Sequence, residues 1–505
     1  MVFMSSNQLL AAVDLGSNSF RLEIGRESHG QITRVEYLKE TVRQGGGLDA
    51  QRNLSPAAMQ AGWECLARFG ERLRGFKSKQ VRAVATQTLR EARNAEVFLS
   101  QARETLGFPI EVISGPEEAR LIYMGVAHLL PQSPERRLVI DIGGRSTELI
   151  LGQQLQPSVM TSYRVGSVAW SQKFFPEGAF THPAFEKARI AAQAILDEAL
   201  SSYPRSLWDV AYGSSGTVGA VADVLEKAGW PAGLIDRDGL EWLKRYLIRT
   251  EHVSQLRLEG LKEDRKAVIG GGISVLDATL DLLGVEQLHV AEGALRHGVL
   301  FDMLDRESSS ADVRDQTVSR LQVNFGVDLK QAQRVSKSAK HLLDPLLKGM
   351  PSDEAHRIQR KVMWAAQLHE LGQVISHSDA HKHGAYILDH ADATGFAWPE
   401  LHRLGLLVLG HRGKLRKLDV DFADTSFCWQ LMCLRLAVIL CHARRDPQYD
   451  AVSLSWKDPG HCFVLKVDPA WAQEHPQSTH LLREEIVAWQ KTGWELQLQG
   501  IASSN

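Results

Sequence analysis

One turn is written into this chain twice. Val13-Asp14-Leu15-Gly16-Ser17-Asn18-Ser19 returns as Ile140-Asp141-Ile142-Gly143-Gly144-Arg145-Ser146. In each copy an apolar run leads into Asp, a branched apolar residue, Gly and a small or polar residue. A second run follows, Phe20 to Ile24 in the first copy and Thr147 to Leu151 in the second. The pattern predicts strand, tight turn, strand, with Gly16 and Gly143 giving positive φ or close backbone approach and the bared N–H groups able to hold an anion. Turn chemistry alone accounts for a single Asp-x-Gly. The repetition predicts two similar lobes whose turns face one another across a cleft, with two amide-lined phosphate sites and two carboxylates, Asp14 and Asp141, able to hold Mg²⁺ between them.

The chain has 505 residues, enough for about three or four domains and a large core. Its 58 Lys plus Arg balance 60 Asp plus Glu, so a polyanion has to be met by a local patch, and no nucleic-acid partner is implied. Five cysteines with no Cys-x-x-Cys pair fit reduced thiols in a cytoplasmic protein and imply neither a disulfide framework nor a cysteine zinc site. No signal peptide is evident between Met1 and Gln8, and no apolar run is long enough to span a membrane. Peripheral membrane contact stays open.

Short β-rich runs (Leu9 to Asp14, Phe20 to Ile24, Ile32 to Tyr37, Val81 to Ala85, Ile110 to Ile113) alternate with helical patterns over residues 9 to 127, and the texture resumes from Arg137 to Asp141 onward. This predicts two α/β lobes with mixed sheets, residues 1–127 and 128–305. From residue 311 to 445 helical patterns dominate. After Asp446-Pro447, a small α+β tail is expected over 446–505, with strands at Val452 to Trp456, Cys462 to Val467 and Trp494 to Leu498 around a helix from His480 to Lys491.

These turns, together with Leu89-Arg90-Glu91-Ala92-Arg93-Asn94, the segment from Ile113 through Glu117 and Glu118 to Ile122, and Tyr212-Gly213-Ser214-Ser215-Gly216-Thr217, resemble the exopolyphosphatase and guanosine pentaphosphate phosphohydrolase family. The resemblance is ordered and covers nearly the whole chain. It implies two actin-like (RNase H-like) lobes around a catalytic cleft, followed by a degenerate HD-like helical domain and a small terminal domain. It further implies a homodimer.

Ser114 followed by Glu117, with Pro116 between, predicts a capping box opening a helix. Glu118 lies about 100° further round, free of the cap. Its position matches the glutamate that activates the attacking water in the family, which makes it the general-base candidate. The resemblance implies that Asp14 and Asp141 hold Mg²⁺, with Glu148 completing the metal set by orienting a ligand or water. Amides of Gly16, Ser17, Asn18, Gly143 and Gly144 would cradle the terminal phosphate, and Arg90 would clamp it bidentately. Gly213, Ser214, Ser215 and Gly216, at a β-to-α turn, form a second anion loop. Gly270 to Gly272 are expected to permit close packing, and Arg265, Lys266 and Arg296 to line the far cleft. One departure is Arg145, which stands where the family usually has a third glycine. It would either add a phosphate contact or crowd the loop, and retained activity with altered affinity is expected.

Leu368-His369-Glu370-Leu371-Gly372 resembles an HD phosphohydrolase helix whose metal-binding Asp has become Glu. With His377, His381, His383 and His411 nearby in sequence, packing, exposure or phosphate contact is expected there rather than a metal site. His411 to Lys417 packs five bases into seven residues. Lys414, Arg416 and Lys417 are therefore a candidate polyphosphate-guiding patch. Together these features predict a Mg²⁺-dependent exopolyphosphatase acting on inorganic polyphosphate, with a guanosine pentaphosphate (pppGpp) 5′-phosphohydrolase as the first alternative and a catalytically weakened polyphosphate- or alarmone-binding regulator as the second.

Overall fold

The computed structural model describes residues 8–28, 31–131, 133–307, 313–391, 393–396, 398–457 and 461–501. The stretch read for a signal peptide (all but Gln8) and the expected boundary at 311 lie outside those ranges. The chain forms two compact units, residues 1–312 and 313–505.

The first unit contains two sheets built on one plan. In the first, β1 (Leu9–Leu15), β2 (Phe20–Ser28) and β3 (Gln31–Glu40) make an antiparallel meander, and β4 (Val81–Ala85) and β5 (Ile110–Val112) add parallel strands in the order β3-β2-β1-β4-β5. In the second, β6 (Arg136–Ile142), β7 (Thr147–Gln153) and β8 (Gln156–Tyr163) repeat the meander. There β9 (Val210–Ser214) and β11 (Gln287–Val290) extend it in parallel, with β10 (Leu234–Asp236) antiparallel at the edge. The sequence repeat is thus a repeat of topology, the two-lobe actin-like arrangement.

Side chains alternate across each sheet because the strand period is two. Ala11, Val13 and Leu15 enter one core with Phe20, Leu22 and Ile24, while Leu10 and Ala12 enter another. In the second sheet Leu138, Ile140 and Ile142 face a large outer core, and Val139 and Ile150 join Leu10 and Ala12. The shared inner core is filled by the helix Gly115–Leu129 and by Leu295–Glu307, which returns from the second lobe. The two helices cross without room for side chains: a Cβ on Gly298 would fall 1.7 Å from the Leu121 carbonyl oxygen. A domain boundary between 127 and 128 therefore falls inside a helix, and Leu295–Glu307, coming from the second lobe, packs on the first lobe's strands β1, β2 and β4.

The helix Gly115–Leu129 starts where expected. Ser114 Oγ accepts from the Glu117 N–H at 3.2 Å, with Pro116 in the first turn. The Glu117 carboxylate is drawn inward to Arg120, at 2.8 and 2.9 Å, and lies 3.6 Å from Arg82. Asp302 joins both arginines, tying the returning helix to this layer by a buried ionic network.

The second unit has one continuous core. Helices Val313–Asn324, Leu329–Leu343, Ser352–Leu368, Ala380–His390, Trp398–Gly410 and Thr425–Leu440 share it with β12 (Val452–Lys457), β13 (Cys462–Val467) and β14 (Glu495–Gln499). The expected tail helix begins at Pro476 rather than His480, since proline fits a helix's first turn. Buried Arg435 ties helices to tail, donating to Glu485 at 2.7 and 2.6 Å and to the Gly410 carbonyl at 2.6 Å. Among the described residues, no helix is long and apolar enough to cross a membrane.

Candidate functional site

The alternation that builds the cores also builds the site. Leu10 and Ala12 point inward, so Asp14 does too, at the strand's end; likewise Val139 leads to Asp141 and Ile150 to Glu148. Asp14 pairs in register with Arg21 and Asp141 with Glu148, so one lobe offers a base where the other offers an acid. The first turn of the helix Gly115–Leu129 enters the same layer and brings Glu118. A cavity of about 370 Å³ opens there, lined by Asp14, Glu118 and Asp141 and by the two turns.

The turns touch. A Cβ on Gly144 would sit 2.9 Å from Ser17 Cβ, so the second glycine of the second turn serves inter-lobe approach. Gly16 and Gly143 do not take positive φ. Their role is the close approach, 3.0 and 3.1 Å from a would-be Cβ to the carbonyl oxygens of Ser19 and Ser146. The Gly143 N–H donates to the Ser146 carbonyl at 2.9 Å and so closes its own turn, which removes it from the expected phosphate cradle. Gly16, Ser17, Asn18 and Gly144 line the cleft.

Burial sets the electrostatics. Glu118 is pushed up to about 7 by desolvation, against the pull of Arg90 and with help from Asp14 and Asp141. Arg90 Nη2 stands 2.8 Å from Glu118 Oε2, yet that oxygen has no aligned hydrogen-bond donor. Asp141 is pushed up to about 6, first by burial; a hydrogen bond to Ser214 and the charge of Arg21 hold it down, and Asp14 lifts it. Glu148 is raised well above the carboxylate range by burial and by Glu118 and Asp141, although Ser162 Oγ donates to it at 2.7 Å. Glu148 lies behind the cleft wall rather than on it. Among the described residues, no three His, Cys, Asp or Glu side chains form a ready-made metal cage. Crowded, reluctantly ionised carboxylates of this kind fit Mg²⁺, which takes one or two carboxylates and keeps water or phosphate oxygens as its other ligands.

The cations at the far end were only partly legible in sequence. Arg265 and Arg296 line the cleft as expected, and Arg21, Lys39 and Lys262 join them. Lys266 instead pairs with Glu263. Arg21 Nη1 is 3.0 Å from Asp14 Oδ2, and Lys39 Nζ is 2.8 Å from Asp264. Arg265 is buried over Gly216, where a Cβ would meet Nη2 at 2.1 Å; burial and the charge of Arg21 lower its pKa. Tyr37 also lines this end, with the Arg296 guanidinium 4.9 Å from its ring centre. The signal for Arg21 was available: it is the second residue after the first turn, on the inward phase of β2.

The glycine-rich loop divides by function. Ser215, Gly216 and Thr217 line the cleft at the start of the helix Ser215–Lys227. Ser215 holds φ 95°, strained for a side-chain-bearing residue, while its Oγ accepts from the Thr217 and Val218 N–H groups at 3.1 and 3.3 Å. Gly213 is packing, its would-be Cβ 2.7 Å from Leu288 and Val218, and Ser214 Oγ donates to the Gly293 carbonyl at 2.8 Å. Gly271 lets helices cross, as expected: a Cβ there would meet the Ser167 carbonyl at 2.4 Å.

Two arginines depart from expectation. Arg90 does not line the cleft. It bonds Gln87, donates to the Ile113 carbonyl at 2.8 Å and faces Glu118, so it backs that carboxylate. Arg145 neither reaches the cleft nor strains its turn, since its φ is not positive; it crosses to Glu91 and the Gly45 carbonyl.

In the second unit, His369 and His411 are buried. Each donates Nδ1–H to a backbone carbonyl, of Ala366 and Val408 at 2.7 and 2.6 Å, and burial lowers both pKa values. Glu370 accepts from Arg444 at 2.7 Å, and His377 is exposed. Lys414, Arg416 and Lys417 are exposed around the short turn Leu415–Lys417.

Comparison with known proteins gives consistent matches. The Ppx/GppA phosphatase family profile matches residues 24–307, and that of Ppx/GppA phosphatase, domain III, matches 313–486. A protein of Photobacterium profundum named guanosine-5′-triphosphate,3′-diphosphate pyrophosphatase is 35% identical over 97% of this chain and 98% of its own length. A protein of the same name from Vibrio cholerae is 36% identical over 98% and 99%. Among solved structures, an exopolyphosphatase from Cytophaga hutchinsonii superimposes with TM-score 0.54 at 23% identity, over 59% of this chain and 98% of that one. The Aquifex aeolicus Ppx/GppA family member does so with TM-score 0.50 at 25% identity, over 60% and 99%.

Proposed function

Because the chain belongs to the Ppx/GppA phosphatase family, we propose that it hydrolyses the terminal 5′-phosphoanhydride of pppGpp, releasing orthophosphate and ppGpp. This displaces polyphosphate, the first expectation from sequence, in favour of its alternative. The near full-length relatives bear the pppGpp name. The observation that carries the reading is the composition of the cleft. Beside the carboxylates it holds the cations Arg21, Lys39, Lys262, Arg265 and Arg296 and the aromatic face of Tyr37, a set suited to a nucleotide with two separate anionic ends.

Phosphoanhydride hydrolysis needs chiefly a positioned water and neutralised charge on the transferred phosphoryl oxygens. Glu118 takes the proton as water attacks the terminal phosphorus, and the bond to the bridging oxygen breaks toward the diphosphate. The amides of Gly16, Ser17, Asn18 and Gly144 and the guanidinium of Arg265 receive the negative oxygens. Asp14 and Asp141 would hold Mg²⁺, with Glu148 behind them. When bound, the ion neutralises phosphate charge.

Orthophosphate release from pppGpp and from long-chain polyphosphate, at matched terminal phosphate with Mg²⁺ across a salt series, tests the reading. Preference for pppGpp supports it. Preference for polyphosphate, weakening with salt, favours the exopolyphosphatase reading, for which the exposed Lys414, Arg416 and Lys417 patch speaks.

A further inference from the structure

Arg145 sends its side chain out of its own lobe. Its Nε and Nη2 lie 2.9 and 2.8 Å from Glu91 Oε2, and Nη1 donates to the Gly45 carbonyl at 3.0 Å. Both partners belong to the first lobe, where Glu91 ends the short helix Gln87–Glu91. The other oxygen of Glu91 accepts from Gln87 Nε2 at 2.7 Å. Gln87 Oε1 accepts from Arg90 Nη2 at 2.6 Å and Nε at 3.1 Å, and Arg90 Nη2 is 2.8 Å from Glu118 Oε2. Five side chains follow one another from the second turn to the base, the first three links hydrogen bonds and the last the Arg90–Glu118 ion contact.

The polarity of this relay matters. An amide offers a donor on one side and an acceptor on the other. Glu91 accepts from the Gln87 NH₂ and thereby turns the Gln87 oxygen toward Arg90; a flipped amide would set NH₂ against a guanidinium. Arg145 in turn keeps Glu91 from swinging to Arg90. The Arg145–Glu91 pair is largely shielded, with the side chains 19% and 12% exposed, so it is stiffer than a surface ion pair. The pair spans the two lobes, as does Gln172 Nε2, which donates to the Gly46 carbonyl at 3.1 Å, so it depends on the lobes being held together.

We propose that Arg145 is a positioning residue that couples closure of the cleft to placement of the general base, acting through Glu91, Gln87 and Arg90 on Glu118. The proposal rests on the base role of Glu118 given above. A displaced base costs turnover more than ground-state binding.

The test is steady-state hydrolysis of pppGpp by the full chain carrying Arg145→Ala, Glu91→Ala, both together, Glu91→Gln or Glu118→Gln, with thermal unfolding of each. Arg145→Ala is expected to lower kcat about tenfold with KM within about twofold. Glu91→Ala should do the same, and the double variant should be no worse than either single, because the two act in one chain. Glu91→Gln keeps size and shape and still breaks the relay, so it gives the answer if an alanine variant fails to fold. Unchanged kcat, a rise in KM alone, or additive losses, with Glu118→Gln inactive, would overturn the coupling and leave Arg145 as a tie between lobes. Full activity of Glu118→Gln would instead overturn the base assignment.

Discussion

Replacing Glu118 with Gln should cripple the chemistry and stabilise the fold, because one cause, burial, produces both. The carboxyl is pushed up to about 7 from an ordinary 4.5. In the proposed role of general base it works ionised, so the active form falls from about 90% at pH 8 to about 10% at pH 6. The kcat/KM of the wild-type protein, which reports the free enzyme, should therefore drop about tenfold across that interval. Glu118→Gln removes the base at every pH and should lower kcat about a thousandfold, equivalent to about 4 kcal/mol of barrier. The stability effect has the opposite sign. A carboxyl whose folded pKa lies above its unfolded value binds protons more tightly when folded. Its contribution is complete below about 4.5 and is lost as pH rises through 7. At pH 8 the native protein carries a buried ionised acid that glutamine removes. Arg90 keeps its bonds to Gln87 and Ile113 but loses its counter-charge, which offsets part of the gain. A net stabilisation of about 1–2 kcal/mol remains at pH 8, vanishing toward pH 5. Initial rates of orthophosphate release over a range of pppGpp concentrations and thermal unfolding at both pH values measure the two halves. A flat kcat/KM between pH 6 and 8, or a Glu118→Gln variant with more than about a third of wild-type kcat, would refute the reasoning.

Asp141→Asn should raise the Mg²⁺ concentration for half-maximal activity about tenfold or more; an unchanged Mg²⁺ titration would remove Asp141 from the metal set. Gly216→Ala drives a methyl into the far end of the Arg265 side chain, which lines the cleft and can yield toward it. We therefore expect KM for pppGpp to rise about fivefold with thermal stability unchanged, and an unaltered KM would take Arg265 out of phosphate binding. Asp302→Ala removes an acceptor shared by buried Arg82 and Arg120 and should cost the first unit about 3–5 kcal/mol, read as an earlier unfolding transition; no shift would mean the network is dispensable. Neutralising Lys414, Arg416 and Lys417 together should leave pppGpp hydrolysis intact, whereas loss of pppGpp turnover would place the patch on the nucleotide's route.

Much of this protein is settled along the chain. The doubled Asp-x-Gly turn announced two like lobes. Alternation along β1, β6 and β7 fixed which way Asp14, Asp141 and Glu148 face, since a strand's side chains have no third option. Ser114 and Pro116 fixed where a helix starts, and so the turn on which Glu118 sits. Such features are local: they follow from periodicity, caps and turns within a few residues. What the sequence could not state is which distant segment meets which. Only the folded chain turned Arg90 from the phosphate to the back of Glu118, closed the Gly143 amide on its own turn, set Tyr37 beneath Arg296 and carried Arg145 across to Glu91. Those pairings bring together residues far apart in sequence, and they are decided by how two sheets pack on the helices Gly115–Leu129 and Leu295–Glu307. The raised pKa values of Glu118 and Asp141 belong to the same category, because desolvation is a property of the packed layer and not of any residue in it.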